Sequence, residues 1–126
     1  MLTGLAHVNL LVPQGTLDHA EAFYAGTLGM TRVPVPALQR DMLAWFDITP
    51  KGQQVHIAFG PPNEESSRHP CFRVESPEKL VQLQHKVYEH YERGGDGGPK
   101  AADKPGTSSG MLAWTHTVTL ACYDLG

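Results

Sequence analysis

The feature that most constrains the fold is an order of strand and helix patterns that begins twice within 126 residues. The run "HVNLLV" alternates as a strand does, and a helical pattern follows it between Thr16, a candidate N-cap, and Gly29. Three strand-like runs come next, "TRVPV", "MLAWFDI" and "QQVHIAF". The order restarts with "HPCFRVE", which predicts a strand, and an amphipathic helix between Ser76 and Gly94. The sequence therefore predicts an α+β fold built from two related strand–helix units.

The end of the chain departs from this repeat. Residues 94–110 are dense in Gly and Pro, which predicts a flexible linker rather than a helix or strand. Beyond it, "MLAWTHTVTLACYDLG" alternates well enough for a single strand. We therefore expect one domain over residues 1–126, with a first module at about 4–60 and an incomplete or diverged second module at about 68–126.

Composition argues against several classes of partner. The formal net charge is -3 and no cluster of Lys or Arg occurs, so the chain lacks the electrostatic pattern of a nucleic-acid-binding protein. No apolar stretch approaches the roughly 18 residues of a membrane span, and the first residues do not form a signal-peptide pattern. Cys71 and Cys122 lack CxxC spacing, which favours reduced thiols. These features predict a soluble, cytoplasmic protein with no nucleic-acid and no membrane partner.

Three of the predicted strands each carry one histidine on the less apolar face. Because side chains alternate along a strand, His7, His56 and His69 each point away from the apolar side of their own strand. If these strands share a curved sheet whose apolar face packs on the helices, the three imidazoles converge on the other face. Neutral imidazole suits Zn, Fe, Co and Ni, whereas Mg and Ca prefer oxygen ligands. The alternative is that each histidine is an ordinary hydrogen-bonded residue.

The remaining histidines are weaker candidates for a site. His19, His85 and His90 lie on predicted helices among polar neighbours, so we expect them on the surface. His116 lies on an apolar strand face and is either a core residue or a ligand. The three strand histidines are therefore the candidates that matter for function.

The chain resembles the vicinal oxygen chelate superfamily, which includes glyoxalase I, extradiol dioxygenases, fosfomycin resistance proteins and bleomycin-binding proteins. The resemblance covers roughly residues 4–93 and rests on "GLAHVNLLV", "HAEAFYAGTLGMTRV", "LAWFDI", "QQVHIAFG" and "RHPCFRVESPEKLVQL". It implies paired βαβββ modules whose strands form a curved mixed sheet around a cleft, and a homodimer. It also implies that His7, His56 and His69 bind a divalent metal ion, which is Zn, Fe, Ni, Co or Mn.

The C-terminus departs from the family pattern. The usual fourth ligand in the family is a glutamate near the end of the last strand, and "TVTLACYDLG" offers only Asp124 as a carboxylate. Oxygen activation at Fe(II) usually needs two histidines and one carboxylate, so this loss weakens the dioxygenase interpretation. Lewis-acid chemistry on a small molecule with two neighbouring oxygens tolerates the loss better.

Three further side chains are candidates for contact with a substrate. Asn9 lies one step along the same strand face from His7, where it would orient that histidine, a substrate or a local backbone group. Trp45 lies on a strand face that either meets the cleft or packs in the core. Arg73 either attracts an anionic group or is an ordinary exposed residue.

Three interpretations of function follow from these features. The first is a metal-dependent lyase or isomerase of the glyoxalase type, acting on a small oxygenated metabolite. The second is a metal-free small-molecule-binding protein of the bleomycin-resistance type, in which the histidines only form hydrogen bonds. The third is a degenerate, inactive member whose second module does not close.

Overall fold

The computed structural model describes residues 1–61 and 69–106, together with the backbone of two strands at 111–114 and 119–121. The chain divides into two compact units, Met1–Pro62 and Asn63–Gly126. The helices and strands of the first unit are β1 (His7–Val12), α1 (Leu17–Glu21) with a π-helical continuation over Ala22–Thr27, β2 (Thr31–Val33), a 3-10 turn over Ala37–Gln39, β3 (Leu43–Asp47) and β4 (Gln54–Phe59). Those of the second unit are α2 (Pro77–Arg93), β5 (Ala101–Ala102), β6 (Met111–Trp114) and β7 (Thr119–Ala121).

The strands of the first unit form one mixed, four-stranded sheet in the order β1–β4–β3–β2. Strands β1 and β4 are parallel, and β3 pairs antiparallel with both β4 and β2. The helical segment after β1 carries the chain to β2 at the opposite edge, and two short connections then bring it back through β3 to β4. The predicted α+β class and the predicted strand–helix–strand–strand–strand order are confirmed.

Side-chain alternation gives this sheet one buried face and one open face. Phe46, Val55 and Ile57 are fully buried, and the ring of Tyr24 from the helical segment lies 5.6 Å from that of Phe46. The buried apolar side chains of this unit are Val12, Ala20, Phe23, Tyr24, Met30, Ala44, Phe46, Val55 and Ile57. Burial of a large apolar side chain stabilises the fold by about 1.5–3 kcal/mol, so this face holds the unit together. The other face carries the polar residues of the same strands.

Both ends of the first helical segment lie where the sequence places them. Thr16 is the N-cap residue, although its hydroxyl donates to the carbonyl oxygen of Pro13 (2.6 Å) instead of capping the helix. At the other end, Gly29 has φ +76°, a left-handed conformation that side chains disfavour. The backbone N–H of Met30 then donates to the carbonyl oxygen of Tyr24 (2.9 Å), which fixes the turn into β2.

We expect the substitution Tyr24→Phe to stabilise the protein. The Tyr24 hydroxyl is buried and has no hydrogen-bond partner among the described residues, and burial raises the pKa of Tyr24. An unpaired buried hydroxyl costs about 1–3 kcal/mol, so its removal should raise the free energy of unfolding by about 1 kcal/mol. Urea denaturation followed by circular dichroism measures the change, with Tyr91→Phe as the control at an exposed tyrosine. A less stable Tyr24→Phe protein would contradict the prediction.

Helix α2 agrees with its sequence prediction. Ser76 accepts a hydrogen bond from the backbone N–H of Lys79 (3.2 Å), and Pro77 occupies the first helical position. Val87 on the apolar stripe is fully buried, and Gly94, with φ +67°, follows the last helical residue. Within the described part of the chain, no helix has both the length and the apolar character that a membrane crossing requires.

The predicted surface position of His90 is wrong. His90 is only 2% exposed, and its Nε2 atom lies 3.1 Å from the carbonyl oxygen of Asp96. Gln84, also buried, accepts a hydrogen bond from the backbone N–H of Gly106 (2.9 Å). These contacts join α2 to the segment rich in Gly and Pro at residues 94–110. The sequence predicts no helix or strand in this segment, but the segment contains strand β5. His19 and His85 are exposed, as predicted.

Two strand predictions in the second unit are also wrong. Residues 69–76 form no strand, although Phe72 and Val74 are half-buried and Cys71 and Arg73 are exposed, so the predicted alternation persists without strand pairing. The C-terminal run forms two short antiparallel strands instead of one, in a sheet with the order β5–β6–β7. Alternation alone does not show where a strand turns back, which explains the second error.

The candidate residues His116 and Asp124 lie outside the described residues.

Candidate functional site

The candidate site is the open face of the four-stranded sheet, on the side opposite the buried core. The strand register of β1, β4 and β3 places the side chains of this open face in three rows that cross the strands. The polar row contains His7, Gln54 and Asp47, the aromatic row contains Asn9, His56 and Trp45, and the apolar row contains Leu11, Ala58 and Leu43. Rows separated by two residues lie about 6.7 Å apart, so the open face changes from polar to apolar over about 13 Å.

The imidazole of His56 lies between two other rings. It stacks on Trp45, with ring centroids 4.5 Å apart and ring planes 11° apart. On its other side it stacks on His7, at 4.0 Å and 10°. Because Phe46 is fully buried on the opposite face, half-buried Trp45 belongs to the open face and not to the core. The three rings form a ring stack, Trp45–His56–His7, across three neighbouring strands.

A chain of hydrogen bonds orients His56 within the ring stack. The side-chain N–H of Gln54 donates to Oδ1 of Asp47 (2.7 Å), because a carboxylate can only accept. The amide oxygen of Gln54 therefore faces His56 and accepts from its Nε2, 2.7 Å away. This arrangement assigns the proton to Nε2 and leaves the lone pair on Nδ1 of His56. Burial and the neighbouring His7 lower the pKa of His56, which favours its neutral form.

The stacked geometry of His7 and His56 does not fit a single shared metal ion. Each imidazole that binds a metal holds it close to its own ring plane, about 2.0–2.1 Å from a nitrogen. The two ring planes are nearly parallel and their centroids are 4.0 Å apart, so one ion cannot lie close to both planes at that bond length. Within residues 1–61 and 69–106, no group of three His, Cys, Asp or Glu side chains is placed to hold a metal ion.

The structure brings part of the predicted site together. His7, Asn9, Trp45 and His56 share the open face, and exposed Asn9 lies opposite His56 in the strand register. His69 and Arg73 belong to the second unit, where both are exposed. The metal ligand set of His7, His56 and His69 therefore stays a prediction, and so does the role of Arg73.

Sequence reasoning missed Gln54 and Asp47, which complete the hydrogen-bonded chain. Both lie on the same strand faces as the residues that it found, because Gln54 is two positions from His56 and Asp47 is two positions from Trp45. The same alternation rule could have found them. An imidazole indicates metal binding or acid–base chemistry by its residue type alone, and an amide carries no comparable signal.

Comparisons with known proteins give structural neighbours only. No family model matches the chain, and no curated protein sequence matches it. A Bacillus anthracis protein assigned to the glyoxalase family is 27% identical, with a TM-score of 0.57, and the match covers 71% of this chain and 70% of that one. A mutant of the fosfomycin resistance protein FosX from Listeria monocytogenes, in complex with Mn(II) and 1S,2S-dihydroxypropylphosphonic acid, is 18% identical, with a TM-score of 0.65 and coverage of 100% and 94%.

A third neighbour extends this similarity. A glyoxalase/dioxygenase from Nostoc punctiforme is 22% identical, with a TM-score of 0.63, and the match covers 94% of this chain and 90% of that one. The neighbours share the α+β architecture built on the mixed four-stranded sheet described above. At these identities they establish the fold, and the chemistry of the open face has to be argued from its own residues.

Proposed function

We propose that this chain, as a member of the vicinal oxygen chelate superfamily, binds a small molecule on the open face, without a metal ion shared by His7 and His56. The ring stack Trp45–His56–His7 is the observation that carries this proposal. His7 is exposed and Trp45 and His56 are half-buried, so part of the ring stack is accessible to a ligand.

The polar groups beside the ring stack suit a small oxygenated ligand. Asn9, exposed next to His56 in the register, offers both hydrogen-bond donors and an acceptor. Neutral His56 offers the lone pair of Nδ1, and its ring is fixed by Gln54 on one edge and by two stacked neighbours. A few fixed polar groups beside aromatic surface are typical of sites that bind small molecules.

A metal-dependent lyase or isomerase is the second candidate function. Its support is a pair of imidazoles on neighbouring strands, together with a Listeria neighbour whose complex contains Mn(II). It requires His7 and His56 to leave their stacked arrangement and a third ligand to join them, for which His69 is the prediction. A homodimer and a substrate contact by Arg73 would suit either function.

Binding measurements with and without metal distinguish the two functions. We expect catechol or hydroxyacetone to bind in saturation-transfer NMR experiments while EDTA is present, because the proposed site needs no metal. Isothermal titration calorimetry with Zn²⁺, Mn²⁺, Ni²⁺ and Co²⁺ should show less than one ion bound per chain. Both experiments use the wild-type chain without substitutions.

Histidine variants provide the control for this experiment. Under the proposed function, neither stacked His56 nor exposed His85 binds a metal ion. The metal affinity of His56→Ala and of His85→Ala should therefore be as low as that of the wild type. One ion per chain in the wild type and in His85→Ala, lost in His7→Ala and in His56→Ala, would instead establish the metal-dependent function. The absence of any probe binding in EDTA would contradict the proposal.

A further inference from the structure

We infer that the open face selects amphiphilic ligands that carry a protonated amine, with the ammonium group at Asp47 and the apolar part over Leu11, Ala58 and Leu43. This inference rests on the proposed function, because it names the class of ligand for the same site. The juxtaposition that supports it is a carboxylate at one end of the open face and an apolar row at the other.

The charge of the open face favours a cation. Among the described side chains of this face, Asp47 is the only carboxylate, and none belongs to a lysine or an arginine. The arginine in the sheet, Arg32, faces the other side, where its guanidinium donates to Oε2 of Glu21 (2.6 Å). Lys51 lies in the turn between β3 and β4 and is exposed. A ligand anion would therefore meet a carboxylate on this face without an opposing cation.

Asp47 is able to accept more than the hydrogen bond that it already has. Its Oδ1 atom accepts from Gln54 (2.7 Å), and an ionised carboxylate has about four lone-pair sites. The side chain is half-buried, so an ion pair formed there is less screened than one at the fully exposed surface. An ammonium group has three donors and matches this acceptor.

The apolar row gives the ligand its second contact. Leu11 is 37% exposed, although it lies in a strand of the sheet, and Leu43 and Ala58 beside it are half-buried. A Cβ atom at Gly60 would lie 2.8 Å from Cδ1 of Leu11, so the glycine leaves room for the leucine side chain where it is. Asp47 and Leu43 are four residues apart along β3, which corresponds to about 13 Å. A ligand that reaches both must combine a polar head with an apolar body about 10 Å long.

Three matched probes test this inference at neutral pH in the presence of EDTA: 4-phenylbutylamine, 4-phenylbutan-1-ol and 4-phenylbutanoate. We expect the amine to bind about fivefold more tightly than the alcohol, and the carboxylate to bind most weakly. In Asp47→Asn the affinity for the amine should fall to that of the alcohol measured in the same variant, so that the preference for the amine disappears. Asp41→Asn, the same substitution at an exposed position between β2 and β3, should keep the wild-type preference.

Several outcomes would overturn the inference. Equal binding of the amine and the carboxylate would do so, and so would an amine preference that survives in Asp47→Asn. If none of the three probes binds while catechol or hydroxyacetone does, the inference fails and the proposed function stands. If no compound of either set binds, both fail. Thermal melting of Asp47→Asn and Asp41→Asn beside the wild type confirms that the variants compared are folded.

Discussion

Replacing Ile57 by aspartate is expected to abolish the cooperative fold of the first unit. Ile57 is fully buried on the core face of the sheet, so the substitution loses the burial of a large side chain and places a carboxylate in an apolar core. The combined cost is about 5 kcal/mol or more, which is comparable with the whole stability of an ordinary domain, about 5–15 kcal/mol. Circular dichroism during urea denaturation measures the loss.

The neighbouring residue provides a matched control for this substitution. Ala58 follows Ile57 on the same strand, but it belongs to the open face and is half-buried. Ala58→Asp should therefore lower the free energy of unfolding by no more than about 1 kcal/mol, the range of strand preferences. Similar losses in the free energy of unfolding of Ile57→Asp and Ala58→Asp would contradict the assignment of Ile57 to the buried face and of Ala58 to the open face.

The alternation that this pair tests is also what made the first unit predictable. The pattern of "QQVHIAF" alone separates Val55 and Ile57 from Gln54 and His56, and the structure buries the first pair and leaves the second on the open face. The rule works here because β4 lies in the middle of the sheet with strands on both sides. Pairing on both sides holds a strand in one register, so the pleat directs its side chains as the sequence predicts.

The same rule was less successful in the second unit. The run "HPCFRVE" has strand periodicity but forms no strand, because alternation describes where side chains point and not whether a backbone partner is available. The polar neighbours of His90 on α2 predict a surface position, whereas its Nε2 atom lies 3.1 Å from the carbonyl oxygen of Asp96, beyond the end of the helix. A contact made by a loop after a helix leaves no trace in the helical pattern.

The arrangement of His56 could not be predicted from the sequence at all. Residue type and strand face predict that His7 and His56 lie on the same face of the sheet. The sequence pattern predicts nothing further about the two side chains. Whether two imidazoles converge on one ion or stack on each other depends on side-chain torsion angles, which the sequence pattern does not determine. Here Trp45 and Gln54 both contact His56, one at the ring face and the other at Nε2, and both contacts favour the stacked position.

We expect Trp45→Ala to weaken the binding of small-molecule probes more than any other single change on the open face. The substitution removes one face of the ring stack and the largest aromatic surface beside the polar row. The expected loss is at least about tenfold in affinity, which corresponds to about 1.4 kcal/mol. Saturation-transfer NMR titrations with catechol and with 4-phenylbutylamine, both in EDTA, measure it.

Trp45→Phe separates a role in binding from a role in folding. Phenylalanine keeps a ring that can stack on His56, so this variant should lose less than about threefold in affinity, while Trp45→Ala loses the stacked surface altogether. Probe binding should also change the fluorescence of the wild type, which has two tryptophans, and this change should vanish in Trp45→Phe, which keeps only Trp114. If Trp45→Ala is folded and binds both probes as the wild type does, the ring stack is structural, and the small-molecule site must lie elsewhere.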